Sequence, residues 1–278
     1  MAHCMTHATH TLLEPSGAPV PLILSSPHSG RNYPDDFGYI CPLPLLRQAE
    51  DAYVDELIAG ATSVGVAIVQ AQFPRSYIDV NRGEDDLDPA LLSEAWQGPL
   101  APSERTLRGL GLVRRLCQSG VPMYAAPLAV ATVQQRILRC YRPYHAALEA
   151  LIRQRSEQFG AVWMIDCHSM PSRRLDGSLL PVDFVLGDRD ATSCDPAFTR
   201  YVRDVLQDYG YSVAINNPFK GVEILRRHGQ PQRGRHALQL EISRSLYMDE
   251  LTLEKHEGFA RVQDVLARLF ALLAIKRG

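Results

Sequence analysis

Short apolar runs alternate along the chain with longer amphipathic stretches. PLILSS (21–26) is apolar and closes on Pro27, Gly30 and Pro34, the pattern of a buried strand running into a turn. VAIVQA (66–71), AVWMID (161–166), DFVLGD (183–188), YSVAIN (211–216) and HALQLEI (236–242) predict further strands, with SYIDV (76–80) as another beyond a turn at Pro74. Residues 43–64 carry Leu46, Ala49, Val54, Leu57, Ile58 and Ala61 at helical spacing. A long amphipathic helix is predicted over 130–158, kinked at Pro143. Another covers 195–209, with Asp195 as N-cap and Pro196 at the first helical position, and a Leu/Ala-rich helix covers 249–275.

Residues 1–18 read as a flexible leader that turns into an edge segment. Residues 83–127 are irregular, with several Gly and Pro, a charged stretch at Glu84–Asp88 and a short helical segment near Leu110–Cys117. They are expected to form an elaborated connection of the kind that can act as a lid, not a domain. The alternation predicts one α/β domain over 1–278, its mixed or mostly parallel sheet covered on both faces.

Composition narrows the class. The 278 residues can bury a sizeable core. A net charge of -2 leaves no basic excess to neutralise phosphates, so nucleic acid is not an expected partner. Six scattered cysteines without a C-x-x-C pair read as reduced thiols. No charged n-region and apolar h-region open the chain, and no apolar run of about 18 residues suggests a membrane span. The expectation is a cytoplasmic globular protein.

Ligands of open α/β sheets bind beyond the carboxyl ends of strands. His28 follows the first predicted strand, Asp166 and His168 follow AVWMID, Asn81 and Arg82 follow SYIDV, and Glu241 lies in HALQLEI. Either histidine alone is most simply a hydrogen-bonded loop or core residue. Together at two strand ends they are candidate zinc ligands. A catalytic zinc usually takes three protein ligands. Asp51 is the choice for the third, with Asp55, four residues on and on the same helical face, in reserve. Asp166 shares a strand face with His168 and could orient it.

Glu241 is a carboxylate in an otherwise apolar strand, costly unless paired with Arg244 or Arg235 or functional as a general base. Arg82 and Arg75 are candidate carboxylate clamps, the alternative being ion pairs with Asp79, Glu84 or Asp85. There is no G-x-S-x-G elbow and no P-loop. Cys167 and His168 adjoin on a strand and so point to opposite faces, which argues against a Cys/His dyad.

Seven segments, SPHSGRNYP, DAYVDEL, FPRSYIDVNR, YRPYHAAL, IDCHSMPS, DFVLGDRDATSCDP and GRHALQLEISRSLYMDE, in this order, resemble the N-formylglutamate amidohydrolase family over residues 20 to 260. The resemblance implies a phosphorylase/hydrolase-like three-layer α/β sandwich related to zinc carboxypeptidases and aspartoacylase. It implies a Zn2+ site at His28 and His168, Glu241 as base, and Asn81-Arg82 holding a substrate carboxylate. It also implies hydrolysis of N-formyl-L-glutamate to formate and L-glutamate, as in histidine degradation. The H-x-x-E pattern of carboxypeptidase-like sites is broken here by Arg31, so the carboxylate ligand comes from elsewhere. The stretch 216–229 is less typical of the family, which bears on side-chain specificity.

Three rivals follow from the residues. One is a hydrolase of another N-acyl amino acid or small peptide. Another is a non-catalytic small-molecule binding protein on the same fold. The third is a metal-free cysteine hydrolase using Cys167. Cobalt, manganese or iron could occupy such a site in place of zinc.

Overall fold

The computed structural model describes residues 8–117, 120–174 and 176–275. Its elements in chain order are β1 (His10–Leu13), β2 (Leu22–Ser26), α1 (Leu43–Arg47), α2 (Val54–Ile58), β3 (Ala67–Ala71), α3 (Glu104–Leu107), α4 (Val130–Arg136) and α5 (Arg142–Phe159). There follow β4 (Val162–Met170), β5 (Phe184–Gly187), α6 (Pro196–Asp208), β6 (Val213–Ile215), α7 (Glu223–His228), β7 (Arg235–Ser243) and α8 (Gly258–Ile275).

The seven strands form one mixed sheet in the order β1-β3-β2-β4-β7-β5-β6. The middle four, β3, β2, β4 and β7, are mutually parallel. β1 is antiparallel to β3 at one edge, and β5 runs antiparallel to β7 towards the other. Each sheet face has its own core. Leu24, Ile68, Ile165, Leu238 and Leu240 pack with Leu57, Val202 and Leu269 on the side of α2, α6 and α8. Ile23, Val69, Met164 and Ala237 pack with Tyr144, Leu148 and Ile152 of α5 on the other. Burying each such aliphatic side chain contributes about 1.5–3 kcal/mol. The arrangement is the expected α/β sandwich, and the four parallel strands deliver their carboxyl ends to one edge.

Several predicted elements are corrected. Residues 43–64 are not one helix: α1 stops at Arg47, α2 starts at Val54, and a 3-10 turn runs from Ala59 to Val64. The break falls at Tyr53, in the left-handed region at φ 65°, held by its hydroxyl on the Leu253 carbonyl and by Lys255 over its ring. SYIDV is not a strand. The Tyr77 N–H closes a turn onto Pro74, and the Asp79 N–H leaves to the Leu112 carbonyl. The helix over 130–158 contains a π-turn at Ile137–Tyr141, and Pro143 follows in the first turn of α5. β4 runs on through Met170, and α8 begins only at Gly258.

Residues 1–7 of the expected leader lie outside the described residues; beyond them His10–Leu13 is strand. Between Gly83 and Pro127 regular structure is sparse, α3 being the sole α-helix described there. No helix among the described residues is long and apolar enough to cross a membrane.

Candidate active site

Backbone packing brings the loops after β2 and β3 together. A Cβ on Gly30 would lie 2.2 Å from the Phe73 carbonyl oxygen, so only glycine permits this approach, and the Asn32 N–H bonds the Gln72 carbonyl beside it. The Asp51 N–H donates to the His28 carbonyl, and the Ser29 hydroxyl to the Asp51 carbonyl. These bonds fold the α1–α2 connection back onto the end of β2. Below Asp79, the buried Arg136 donates to the Tyr77 and Phe37 carbonyls and the Tyr124 hydroxyl while its guanidinium lies 4.1 Å from the Tyr77 ring centre. α5 supports the next residues, through Tyr141 to the Arg82 carbonyl and His145 to the Val80 carbonyl.

At the centre, three buried donors converge. His28 Nδ1 and His168 Nδ1 are 3.0 Å apart, and Asp51 Oδ2 lies 3.2 Å from the first and 3.0 Å from the second. The far ring nitrogens are both committed. His28 Nε2–H donates to Asp79 Oδ1 at 2.8 Å, and His168 Nε2–H donates to Asp166 Oδ2 at 2.8 Å. In the neutral form that a metal ligand needs, each imidazole spends its one N–H on the outer carboxylate, which leaves Nδ1 as the ligand atom. Three donors this close need a positive charge among them, which a proton shared between His168 and Asp51 supplies or a metal ion can supply in its place.

The residues around the triangle hold it in place. Asp51 Oδ1 accepts from Arg244 at 3.2 Å and Ser169 at 3.4 Å, which aims Oδ2 at the histidines. Arg244 also donates to the Gln48 and Glu50 carbonyls and to Ser169. Asp79 Oδ2 accepts from Arg75 at 2.8 Å, and Asp166 Oδ1 from Ser25 at 2.7 Å. Burial opposes ionisation of Asp51, but its bonds to His168 and His28 hold it well below the usual carboxylate range. Burial likewise opposes the charge on Asp79, and Arg75 and His28 hold it low. His168 is raised well above the ordinary imidazole value: burial works against the charge, and the Asp166 carboxylate outweighs it.

The donor set fits a metal. A tetrahedral zinc with ligands at about 2.0–2.1 Å needs donors roughly 3.3 Å apart, close to the 3.0–3.2 Å found. Carboxylates on both outer ring nitrogens are the usual means of fixing ligand histidines. His28, Asp51 and His168 are the group among the described residues able to hold an ion.

Glu241 pairs in register with His168 across the β4–β7 ladder, on a strand about 4.8 Å away. It is buried, bonded by Gln239 at 2.9 Å, and bonded by neither Arg244 nor Arg235, the latter pairing with Glu149. Burial lifts its carboxyl to about 7; His168 pulls it down and Asp51 pushes it further up. A carboxylate poised near neutrality is suited to exchanging a proton with water.

Asp55 is absent from the triangle. It lies on α2, 3.7 Å from the half-exposed Arg31, whereas Asp51 precedes the helix, so the i,i+4 relation drawn between them does not apply. Arg75 is bound to Asp79 and lies 3.8 Å from Asp51 Oδ1. Asn81 accepts from the Ile224 N–H, and its amide nitrogen is 3.4 Å from His168 Nε2. Arg82 is buried and reaches a pocket of about 290 Å³ shared with Ser103, Arg189 and Val222; its closest carboxylate, Asp86, is 4.0 Å away. Cys167 points into the opposite core, its thiol pushed well up by burial and then by Asp166.

Sequence reasoning missed Arg244 as the group orienting Asp51 and treated Asp79 only as an ion-pair partner. The signal available for Asp79 was its place two residues before Asn81-Arg82, where a buried carboxylate needs a reason.

The N-formylglutamate amidohydrolase family model matches residues 20–248. The N-formylglutamate deformylase of Pseudomonas putida is 32% identical over 239 residues, covering 83% of each chain. That of Pseudomonas aeruginosa is 31% identical over 238 residues, again covering 83% of each. The crystal structure of N-formylglutamate amidohydrolase from Ralstonia eutropha JMP134 superposes with a TM-score of 0.93 at 45% identity, covering 96% of this chain and 98% of that one.

Proposed function

The chain belongs to the N-formylglutamate amidohydrolase family, and from that premise we propose that it hydrolyses N-formyl-L-glutamate to formate and L-glutamate, with a divalent metal, zinc first, held by His28, Asp51 and His168. The observation that carries the metal is the convergence of three buried ligand atoms, His28 Nδ1, His168 Nδ1 and Asp51 Oδ2, within 3.0–3.2 Å of one another. Such an ion supplies Lewis-acid polarisation of the formyl carbonyl and acidifies the attacking water.

The chain's own residues do the rest. Glu241 accepts a proton from water as the water oxygen adds to the formyl carbon. The C–N bond then breaks, and Glu241 returns that proton to the departing amine. The high carboxyl value imposed by burial makes both transfers accessible near neutral pH. Asp79 and Asp166 hold the two imidazoles in the tautomer that leaves each Nδ1 free. Arg75, bound to Asp79, contributes positive charge beside the triangle, where oxyanion charge develops. Arg82 and Asn81 receive a substrate carboxylate. In this reading the chain is a single catalytic domain, and the segment around Leu112, whose carbonyl accepts the Asp79 N–H, belongs to a cover over the cleft. The reaction completes a route of histidine breakdown and belongs to the cytoplasm.

Formate release from a panel of substrates tests the reading. N-formyl-L-glutamate turnover well above that of N-acetyl-L-glutamate and of short peptides is expected. Preference for another N-acyl amino acid would overturn the named substrate while keeping the hydrolase. Tight binding without turnover would favour a binding protein.

A further inference from the structure

The buried arginines of this fold differ in how they are bonded. Arg136 makes three hydrogen bonds and Arg244 four. Arg114 is 4% exposed, yet among the described residues its guanidinium has no hydrogen-bond or ion-pair partner, and its Nε is sealed from solvent. Burial, then the Arg75 charge, pulls Arg114 down to about 9. A buried, unpaired charge is strongly unfavourable unless an anion completes it.

Two further arginines share the same neighbourhood. Arg82 has a buried, unbonded Nε, and its nearest carboxylate, Asp86, already accepts from the Ser103 N–H at 2.7 Å and from the Ser103 and Thr106 hydroxyls. Arg105, on α3, has no ion pair among the described residues; it is open to solvent, so the pull of burial and of Arg75 and Arg82 on it is screened by water. Arg114 stands two residues from Leu112, whose carbonyl accepts the Asp79 N–H at 2.8 Å and whose N–H donates to the Asp86 carbonyl at 2.9 Å. Its backbone is thus joined to that of the residue fixing His28. Glu241 and Asp79 are within electrostatic reach of Arg105, and Asp79 of Arg114.

We propose that Arg114, with Arg105, receives a second carboxylate of the substrate, the side-chain carboxylate of a dicarboxylic N-acyl amino acid, while Arg82 receives the first. This rests on the amidohydrolase reading above and names the residues that select its dicarboxylic substrate. Two separate anionic groups match two buried guanidiniums, Arg82 with Asp86 no nearer than 4.0 Å and Arg114 with no partner among the described residues. A substrate with a neutral side chain leaves Arg114 buried without its anion, so discrimination arises from the penalty on the wrong substrate as well as from the bond to the right one.

The test compares kcat/KM for N-formyl-L-glutamate and its isosteric amide, N-formyl-L-glutamine, in the metal-loaded protein. Arg114→Gln is expected to lower the preference for glutamate over glutamine by about 30-fold, mainly through KM, as loss of a charge-assisted pair does. Arg114→Lys should restore part of it. Should Arg114→Gln fail to fold, Arg105→Gln, at an accessible position, is expected to lower the same preference. An unchanged preference in a folded variant, or an equal loss on both substrates, would overturn the assignment and leave the amidohydrolase reading standing. Wild-type protein that turns over neither substrate would overturn that reading and the assignment with it.

Discussion

Asp51→Asn separates the two carboxylates that sequence alone left open. The side chain keeps its size, and its amide oxygen can still accept from Arg244, now 3.2 Å from Oδ1. The amide NH2 then faces the two Nδ1 lone pairs at the 3.0–3.2 Å now spanned by Oδ2 and donates to one of them. The fold therefore survives. Metal binding loses one anionic donor of three. Zinc sites of about 10–16 kcal/mol shared over three or four donors imply roughly 3–4 kcal/mol each, a 10²–10³-fold loss of affinity. At fixed zinc concentration that removes about 2.7–4.1 kcal/mol of metal-linked stabilisation. The assay is thermal melting with and without added zinc, alongside metal content and formate release. Wild type should gain Tm with zinc and Asp51→Asn should not. Asp55→Asn, on α2 against Arg31, should behave as wild type. Full metal content and turnover in Asp51→Asn, or their loss in Asp55→Asn, would refute the argument.

Three further expectations follow from the same geometry. Glu241→Gln keeps the bond from Gln239 and should retain metal and fold while kcat falls about 10²–10⁴-fold; a drop below tenfold would remove Glu241 as the base. Cys167→Ala should leave kcat within a factor of two and lower Tm slightly, because the thiol lies in the apolar core; abolished turnover with intact fold would revive the cysteine mechanism. His145 is held down to about 3 by burial and by the neighbouring His228 and Arg227 charges, against about 6.5 when unfolded. Below pH 6.5 the unfolded chain binds a proton that the folded one refuses, so stability falls with pH by about 1.4 kcal/mol per unit for this group. Urea midpoints between pH 7 and 5 should show a slope that is smaller by about one proton in His145→Gln; equal slopes would contradict it.

Much of this was legible in the residues. The apolar runs marked the four parallel strands, and PHSG and D-C-H fell where parallel strands end, because a run of buried β-branched and aliphatic side chains is a local signal. The alternation of Asp166, Cys167 and His168 foretold which of the three face the site and which faces the core. What stayed hidden depended on chain reversal. Nothing local shows that Tyr53 adopts a left-handed turn, and that turn places Asp51 beside His28 and leaves Asp55 on a helix. SYIDV has strand-like composition, but Arg136, nearly 60 residues on, holds it in a turn through the Tyr77 carbonyl. Arg114 carries no sequence motif; its isolation is visible only once burial and the absence of a partner are known.

The central claim is that His28, Asp51 and His168 hold a metal on which amide hydrolysis depends. Metal content of the purified protein, measured with N-formyl-L-glutamate turnover before and after chelation, tests it most directly. The account predicts about one divalent ion per chain for three converging donors, turnover lost on chelation and restored by zinc. Turnover that persists in protein shown to be free of metal would contradict it.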